Sequence, residues 1–313
     1  MMSSNAQSRR QLMPQGALMV LGLTMLLASA VFLACAMPGH AYATVVSNGA
    51  HVYALKTGVT YSSYDVTGDG ESDTIKVALS GIEGDRYSRI KVLVNGKTAL
   101  NQKAGGYSDY VEAQLIKLKN GKTFLYLFGP FENDDSDVCA VFRYSGGKFK
   151  MNIDCNKGFG RKIGSHFGGK IKKVSGNAMI VTFGVMSYMA GNIQADYTYR
   201  YKGGKLKKAS SIGKIRIGWW VSEEGKRSKA YVVKKNITAY KSASCKAKKF
   251  TIKKGQKAKF LRVYVKGNTV RFLMKAGGRT GWIKVANRYD SSLMYKRSDG
   301  GYEPPFKGLS LAG

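Results

Sequence analysis

The chain has 313 residues and a formal net charge of +32, with 51 Lys and Arg residues against 19 Asp and Glu. Residues 44–155 hold 13 basic and 13 acidic residues, whereas residues 156–313 hold 36 and 6. So steep an imbalance predicts an anionic partner rather than a fold, because a concentrated positive field attracts polyanions. Beyond residue 43 the histidines are His51 and His166, which excludes a zinc site of recognisable spacing, and no nucleophile elbow or phosphate loop occurs.

Residues 1–43 have the order of an export signal. Arg9 and Arg10 precede an apolar run over 17–37, and the small-residue triplet Ala41-Tyr42-Ala43 follows. We expect cleavage after Ala43 and a protein that is secreted or associated with the cell envelope, outside the cytoplasmic membrane. The alternatives are an uncleaved membrane anchor, twin-arginine export through residues 8–13, and, ranked last, a lipid on Cys35.

Short alternating strands separated by glycine turns fill residues 44–211. The chain between the turns is rich in Val, Ile, Tyr, Phe and Thr and has no long apolar stripe of helical period. The turn dipeptides, which favour tight hairpins, are Asn95-Gly96, Asn120-Gly121, Gly146-Gly147, Gly176-Asn177 and Gly203-Gly204. We therefore predict an all-β fold whose first domain, residues 44–211, is a sandwich or a partial propeller.

The sharpest local motif lies in this domain over 65–73, where oxygen-bearing side chains recur at relative positions 1, 3, 5 and 9 and the residue at position 7, Glu71, can offer its carbonyl. Gly70 permits the bend that wraps a hard cation. The predicted calcium ligands are Asp65, Thr67, Asp69, Glu71 and Asp73. The motif resembles the calcium-binding hairpin loops of FG-GAP and VCBS-type extracellular β repeats, with Thr67 in place of the usual second carboxylate or amide. The alternative is an acidic turn held by hydrogen bonds from side chains to the backbone.

Two cysteines flank a hairpin centred on Gly147. If the turn is centred there, Cys139 lies opposite Cys155, close enough for a disulfide bond, which we predict. The alternative is a pair of reduced thiols that pack as small apolar side chains. Cys245 is then left over.

Residues 212–228, which contain Trp219-Trp220, break the hairpin pattern and are predicted to link two domains. We expect these tryptophans to be buried at the domain junction, with stacking on carbohydrate as the alternative. The last segment, 289–313, has little strand pattern and contains Pro304-Pro305. It is expected to be a tail that is mobile or docks through Phe306 and Leu309.

Residues 229–288 have a five-strand pattern that includes a Lys-Lys-Gly turn at Gly255 and the triplet Gly281-Trp282-Ile283. Together with Tyr240-Lys241-Ser242, these features resemble the bacterial SH3-like family, small barrels attached to cell-wall enzymes and exported proteins. The resemblance implies recognition of peptidoglycan or a related wall polymer, although such barrels also act as spacers. Val270-Arg271-Phe272 stands where many members place a tryptophan.

Ligand contact in this segment is predicted for rings that stack on sugars and for cations that meet carboxylates or phosphates. These residues are Tyr240, Lys241, Arg279, Trp282 and Lys284. Burial of Trp282 in the core is the competing interpretation. Lysines greatly outnumber arginines here, which favours diffuse charge attraction over bidentate recognition of one ligand.

The leading hypothesis is an exported, non-enzymatic cell-envelope protein that binds teichoic acid, peptidoglycan or a sulfated host glycan through its basic C-terminal domain. One alternative is a glycan hydrolase with catalytic carboxylates in residues 44–211. The other is an extracellular protein that binds nucleic acid, which the charge favours but no recognised reading motif supports.

Overall fold

The computed structural model describes residues 44–107, 111–130, 136–159, 164–217, 230–286 and 290–309. These residues form β-strands and one short 3-10 turn, Cys155–Lys157, which confirms the all-β prediction. Residues 1–43, which are predicted to be an export signal, and Trp219-Trp220 lie outside the described residues. The described part of the chain has no helix with the length and apolar character needed to cross a bilayer.

Four consecutive strands form what we call the outer sheet. They are β3 (Thr60–Tyr64), β4 (Asp73–Ser80), β5 (Arg86–Val94) and β6 (Lys97–Tyr107), paired in that order. The β5–β6 turn matches the predicted tight hairpin, because Val94 pairs with Lys97 and both Asn95 and Gly96 have positive φ.

A five-stranded central sheet follows in the chain. Its strands are β2 (His51–Leu55), β7 (Glu112–Lys117), β8 (Thr123–Pro130), β9 (Ser136–Ser145) and β10 (Lys148–Asp154), in the order β10-β9-β8-β7-β2. The predicted turn at Asn120-Gly121 is longer than two residues, since the flanking pair is Lys117 and Thr123. The strand β2 pairs with β7, which is distant in sequence, and is an edge strand of this sheet.

The remaining strands build a 13-stranded long sheet and a small separate hairpin. The path of the long sheet is β1 (Val45–Ser47), β11 (Gly164–Ser175), β12 (Ala178–Ser187), β13 (Gly191–Lys202), β15 (Ile212–Ile217), β19 (Lys257–Lys266), β20 (Thr269–Ala276), β21 (Arg279–Lys284), β17 (Ile237–Tyr240) and β18 (Lys248–Ile252). Off this path, β14 (Lys205–Lys208) pairs with β13, while β16 (Tyr231–Val233) pairs with β19 and with β24 (Phe306–Lys307). The hairpin consists of β22 (Tyr295–Lys296) and β23 (Tyr302–Glu303).

The central sheet is buried on both faces. Along β8, Phe124 and Tyr126 belong to the core shared with the long sheet, whereas Leu125 and Leu127 belong to the core shared with the outer sheet. All four side chains are 0% exposed. This explains why the strand is apolar at successive positions instead of alternating with polar residues, since neither face of the strand meets water.

The strand β15 connects the two halves of the chain through backbone hydrogen bonds. Ile217 pairs with Ile193 of β13, and Ile212 pairs with Tyr264 of β19. The segment that the sequence predicts to begin a linker therefore starts as a sheet strand, because its backbone groups are paired on both sides. The domain boundaries themselves stay a prediction.

The C-terminal segment docks on the basic half of the molecule. Phe306 is 2% exposed, and its ring lies 5.1 Å from that of Phe260, centroid to centroid, in an edge-to-face contact. Backbone pairing of Phe306 with Val233 fixes the segment, and Leu309 packs against the same core. The expectation that the tail docks through Phe306 and Leu309 is therefore confirmed.

Candidate ligand-binding sites

The acidic loop, Asp65–Asp73, joins β3 to β4 at one end of the outer sheet. It brings together Asp65, Asp69 and Asp73, whose carboxylates each offer an oxygen within 4.8 Å of the others. Gly68 and Gly70 have φ of +83° and +95°, which lets the backbone fold around these side chains. Three converging carboxylates are the donor set that a hard cation such as calcium prefers.

Asp73 holds the loop in shape from within. One of its carboxylate oxygens accepts hydrogen bonds from the backbone N–H groups of Val66 and Thr67, at 2.7 and 2.8 Å, and the other accepts from the amide of Asn95 at 2.5 Å. Burial of Asp73 raises its pKa, but these donors outweigh burial and leave the pKa below its ordinary value. Asp73 therefore stays ionised, although only 3% of this residue is exposed to solvent.

Asp65 has a cationic partner already. Lys117 of β7 donates to a carboxylate oxygen of Asp65 at 2.7 Å and to its backbone carbonyl at 3.1 Å. The hydrogen bond from Lys117 lowers the pKa of Asp65, with a further contribution from the N–H of Gly68. The ammonium group thus supplies positive charge where a bound metal ion would supply it.

The other two predicted ligands support the carboxylates by hydrogen bonds, and the Thr67 side chain contributes one that lowers the pKa of Asp73. Thr67 and Glu71 are exposed, and each contributes a backbone N–H, to Asp73 and Asp69 respectively. Sequence reasoning missed Lys117 and Asn95, which come from β7 and from the β5–β6 turn. No local signal identifies them, because their approach depends on how the sheets stack.

The basic unit, residues 230–286, contains 16 Lys and Arg residues and no Asp or Glu. Thirteen of the sixteen side chains are exposed. Lys234 has an acidic partner from the docked C-terminal segment, since its ammonium lies 2.7 Å from the carboxylate of Glu303. Because the unit has no acidic residues of its own, its positive charge is not neutralised internally and faces solvent.

A ring and cation cluster surrounds Trp282 on this unit. Tyr240 is its cross-strand neighbour, and the ring of Tyr264 meets it edge to face with centroids 6.4 Å apart. The ammonium of Lys284 lies 5.8 Å from the centre of the Tyr240 ring. Trp282 itself is only 9% exposed, so Tyr240 and Lys284 are the members that a ligand reaches more easily.

Arg279 and Lys241 are placed differently. The guanidinium of Arg279 lies 4.3 Å from the centre of the Phe250 ring and donates to the carbonyl of Lys249 at 3.3 Å. Lys241 is exposed at the end of β17. The structure thus gathers Tyr240, Trp282 and Lys284 on adjacent strands, whereas Arg279 covers a different ring. Tyr264 is the ring of this cluster that sequence reasoning missed.

The predicted Cys139–Cys155 disulfide is absent, and both residues are buried free thiols. The sulfur of Cys139 donates to the carbonyl of Gly169 at 3.0 Å and accepts from its N–H at 3.1 Å, which directs it toward β11. The strand β10 ends at Asp154, so Cys155 begins the 3-10 turn instead of continuing the ladder. A hydrogen bond with Cys139 and burial both raise the pKa of Cys155, which keeps its thiol protonated.

No protein-family model, curated protein or solved structure matches this chain. The resemblances to the SH3-like family and to FG-GAP and VCBS-type loops therefore stay predictions from the sequence.

Proposed function

We propose that the protein is an exported, non-enzymatic binder that attaches to an anionic polymer of the cell envelope through its basic unit. The observation that carries the proposal is the composition of residues 230–286, with 16 basic side chains, thirteen of them exposed, and no acidic ones. Teichoic acid and peptidoglycan are the first candidate polymers, and a sulfated host glycan is the next.

The binding mechanism follows from this charge. A polyanion that approaches the unit releases its condensed counterions, so affinity depends on the number of contacts and falls steeply with salt. The cluster of Tyr240, Trp282 and Lys284 adds a ring beside an ammonium group, which suits a polymer that presents sugar faces next to phosphates or carboxylates.

The decisive experiment measures retention on purified cell-wall material at low and moderate ionic strength. The test variant carries Lys246→Glu, Lys248→Glu and Lys249→Glu, all at exposed positions of the basic unit. The matched control has the same charge change at exposed positions elsewhere, Lys97→Glu, Lys103→Glu and Lys150→Glu. We expect the test variant to lose retention at low salt and the control to keep most of it. Equal retention at both salt concentrations, or equal loss in both variants, contradicts the proposal.

Competition separates this proposal from the alternatives. Soluble teichoic acid is expected to displace the bound protein more effectively than duplex DNA at equal phosphate concentration. A reversed order would favour an extracellular nucleic-acid binder. Release of sugar fragments from wall material, abolished by substitution of a single carboxylate in residues 44–211, would favour a glycan hydrolase.

Calcium binding at the acidic loop is a second candidate function. It is favoured by the three carboxylates of Asp65, Asp69 and Asp73, whose oxygens lie within 4.8 Å of one another. Calorimetric titration with calcium tests it, with Asp69→Asn as the variant, because Asp69 is exposed whereas Asp73 is buried and holds the loop in shape. Heat and thermal stabilisation that vanish in the variant support the site, and no response at millimolar calcium rules it out.

A further inference from the structure

A cavity of about 370 Å³ opens where the outer sheet meets the central sheet. Three connections meet around it: the β1–β2 turn with Gly49, the acidic loop with Asp65 and Ser72, and the β7–β8 turn with Gly121. Its volume lies within the range of sites that hold small molecules in proteins, which is about 300–1,000 Å³. The cavity lies outside the basic unit, so it does not depend on the proposed polymer site.

One wall of the cavity is a row of residues that spans three strands of the central sheet. His51 of β2 pairs with Lys117 of β7, and Lys117 pairs with Thr123 of β8. Directly opposite residues of antiparallel strands point to the same face, so the three side chains stand side by side. All three line the cavity.

Aromatic rings supply the flat, apolar part of the lining. The rings of Tyr53 and Tyr64 are stacked with centroids 4.3 Å apart, and the His51 ring is nearly parallel to that of Tyr53, with 2° between their planes. Tyr53 and Tyr64 are only partly buried, which leaves ring surface in contact with the cavity. Such surface packs well against the C–H face of a sugar ring.

Both hydrogen-bond donors and hydrogen-bond acceptors line the cavity. Asp65 presents acceptors, Lys117 presents donors, and the hydroxyls of Ser63 and Ser72 do both. Thr123 is 4% exposed, and its hydroxyl has no hydrogen-bond partner within the described ranges. A buried polar group normally has a hydrogen-bond partner. The Thr123 hydroxyl in this wall of the cavity is left without one among the described residues.

We propose that this cavity binds one or two rings of a neutral saccharide. Stacked rings beside a carboxylate, an ammonium and several hydroxyls match a pyranose, which has an apolar face and a rim of hydroxyl groups. The Asp65 carboxylate and the Lys117 ammonium pair with each other in the lining, so a neutral sugar leaves no charge of this pair unbalanced. A purely apolar ligand would leave Lys117 and Asp65 desolvated without compensation.

A saccharide site here would make the protein bivalent. The basic unit would hold a polymer by charge, and the cavity would select a sugar by shape. Two linked contacts with one glycan strengthen attachment without any new interface, provided that both can be engaged at once.

The test is saturation-transfer NMR on the full chain with four neutral disaccharides: N,N′-diacetylchitobiose, cellobiose, maltose and lactose. We expect transfer to at least one of them, persisting at about 1 M salt, where screening shortens to about 3 Å and ionic contacts are lost. Tyr53→Ala is expected to weaken binding about tenfold or more. Tyr302→Ala, the same change at an exposed tyrosine of β23, serves as the matched control and should bind as the wild type does.

A second variant keeps the test decisive if Tyr53→Ala fails to fold. Ser72→Trp adds a large side chain at an exposed position of the cavity lining and is expected to block binding by filling the space. Absence of transfer to all four disaccharides overturns the saccharide site. So does binding that persists in Ser72→Trp or disappears at high salt. None of these outcomes bears on retention of the protein by anionic wall polymers.

Discussion

Lys117 joins the central sheet to the acidic loop through a pair of hydrogen bonds to Asp65, one to a carboxylate oxygen at 2.7 Å and one to the backbone carbonyl at 3.1 Å. The side chains are 25% and 21% exposed, so the contact lies at the protein surface. Lys117 therefore links the loop to the central sheet, and it would compete with any cation that binds to Asp65.

Lys117→Met is expected to strengthen calcium binding by the loop. Loss of the ammonium frees an oxygen of Asp65 and removes a repelling charge, which we expect to tighten binding about tenfold, equivalent to about 1.4 kcal/mol. Calorimetric titration of calcium into wild type and variant measures the difference. Lys119→Met, a loss of the same charge at an exposed neighbouring position, is the control and should change little. Equal affinities in all three proteins would show that Lys117 does not compete.

The acidic loop should make the protein sensitive to acid. Hydrogen bonds lower the pKa of Asp73 despite its burial, and Lys117 lowers that of Asp65. A carboxyl group with a lowered pKa stabilises the folded protein at pH values above its ordinary pKa. This contribution disappears as the pH falls through the folded-state pKa. Stability should therefore decline as pH falls below about 4, the ordinary carboxyl pKa.

Asp73→Asn tests which group is responsible. The amide cannot replace a carboxylate that accepts three hydrogen bonds, so we expect a loss of about 2 kcal/mol near neutral pH and a shallower decline in acid. Urea unfolding at several pH values provides the measurement. A decline as steep as that of the wild type would assign the acid sensitivity to other carboxylates.

Lys208 predicts that stability rises with pH in the alkaline range. Burial lowers the pKa of its ammonium to about 8, and the amine lies 3.9 Å from the centre of the Tyr197 ring. The unfolded chain, with a lysine pKa of about 10.4, binds more protons than the folded protein between about pH 8 and pH 10, so stability should rise by up to about 1.4 kcal/mol per pH unit. Above about pH 10 the trend reverses, because burial raises the pKa of Tyr197 and Tyr199.

The variant Lys208→Met should remove the alkaline rise and leave the later decline. Lys207→Met is the matched control, because Lys207 is the exposed neighbour on the same strand. Thermal unfolding over this pH range distinguishes the two. A rise that survives in Lys208→Met would locate the titrating group elsewhere.

The thiols are predicted to resist modification in the folded protein. Cys139, Cys155 and Cys245 are buried, and the pKa of Cys155 and of Cys245 is raised. Because the thiolate is the reactive form, alkylation near neutral pH should be slow in the native protein and complete for all three after unfolding. Mass measurement before and after reduction checks this. A mass gain of two additional alkyl groups only after reduction would show that a disulfide forms.

Phe306→Ala should destabilise the protein by about 3–4 kcal/mol, since a fully packed aromatic ring is replaced by a cavity. The control Tyr302→Ala removes an exposed ring from the same segment and should cost less than about 0.5 kcal/mol. Chemical unfolding compares the two. Equal small effects would mean that the C-terminal segment contributes little to the fold.

The candidate sites were only partly predictable from sequence. Spacing alone identified Asp65, Asp69 and Asp73, because residues of one short loop must lie close together. It could not find Lys117, which comes from another sheet, nor exclude Arg279 from the Trp282 cluster, since that depends on which ring its guanidinium covers.

The sequence by itself determined the all-β character, most hairpin turns and the concentration of positive charge, because each depends on residues that are near neighbours in the chain. Tertiary structure alone decided that β2 pairs with β7, that β1 runs parallel to β11, and that the central sheet is buried on both faces. These features arise from contacts between distant segments, where packing selects one arrangement among many that satisfy the same local pattern.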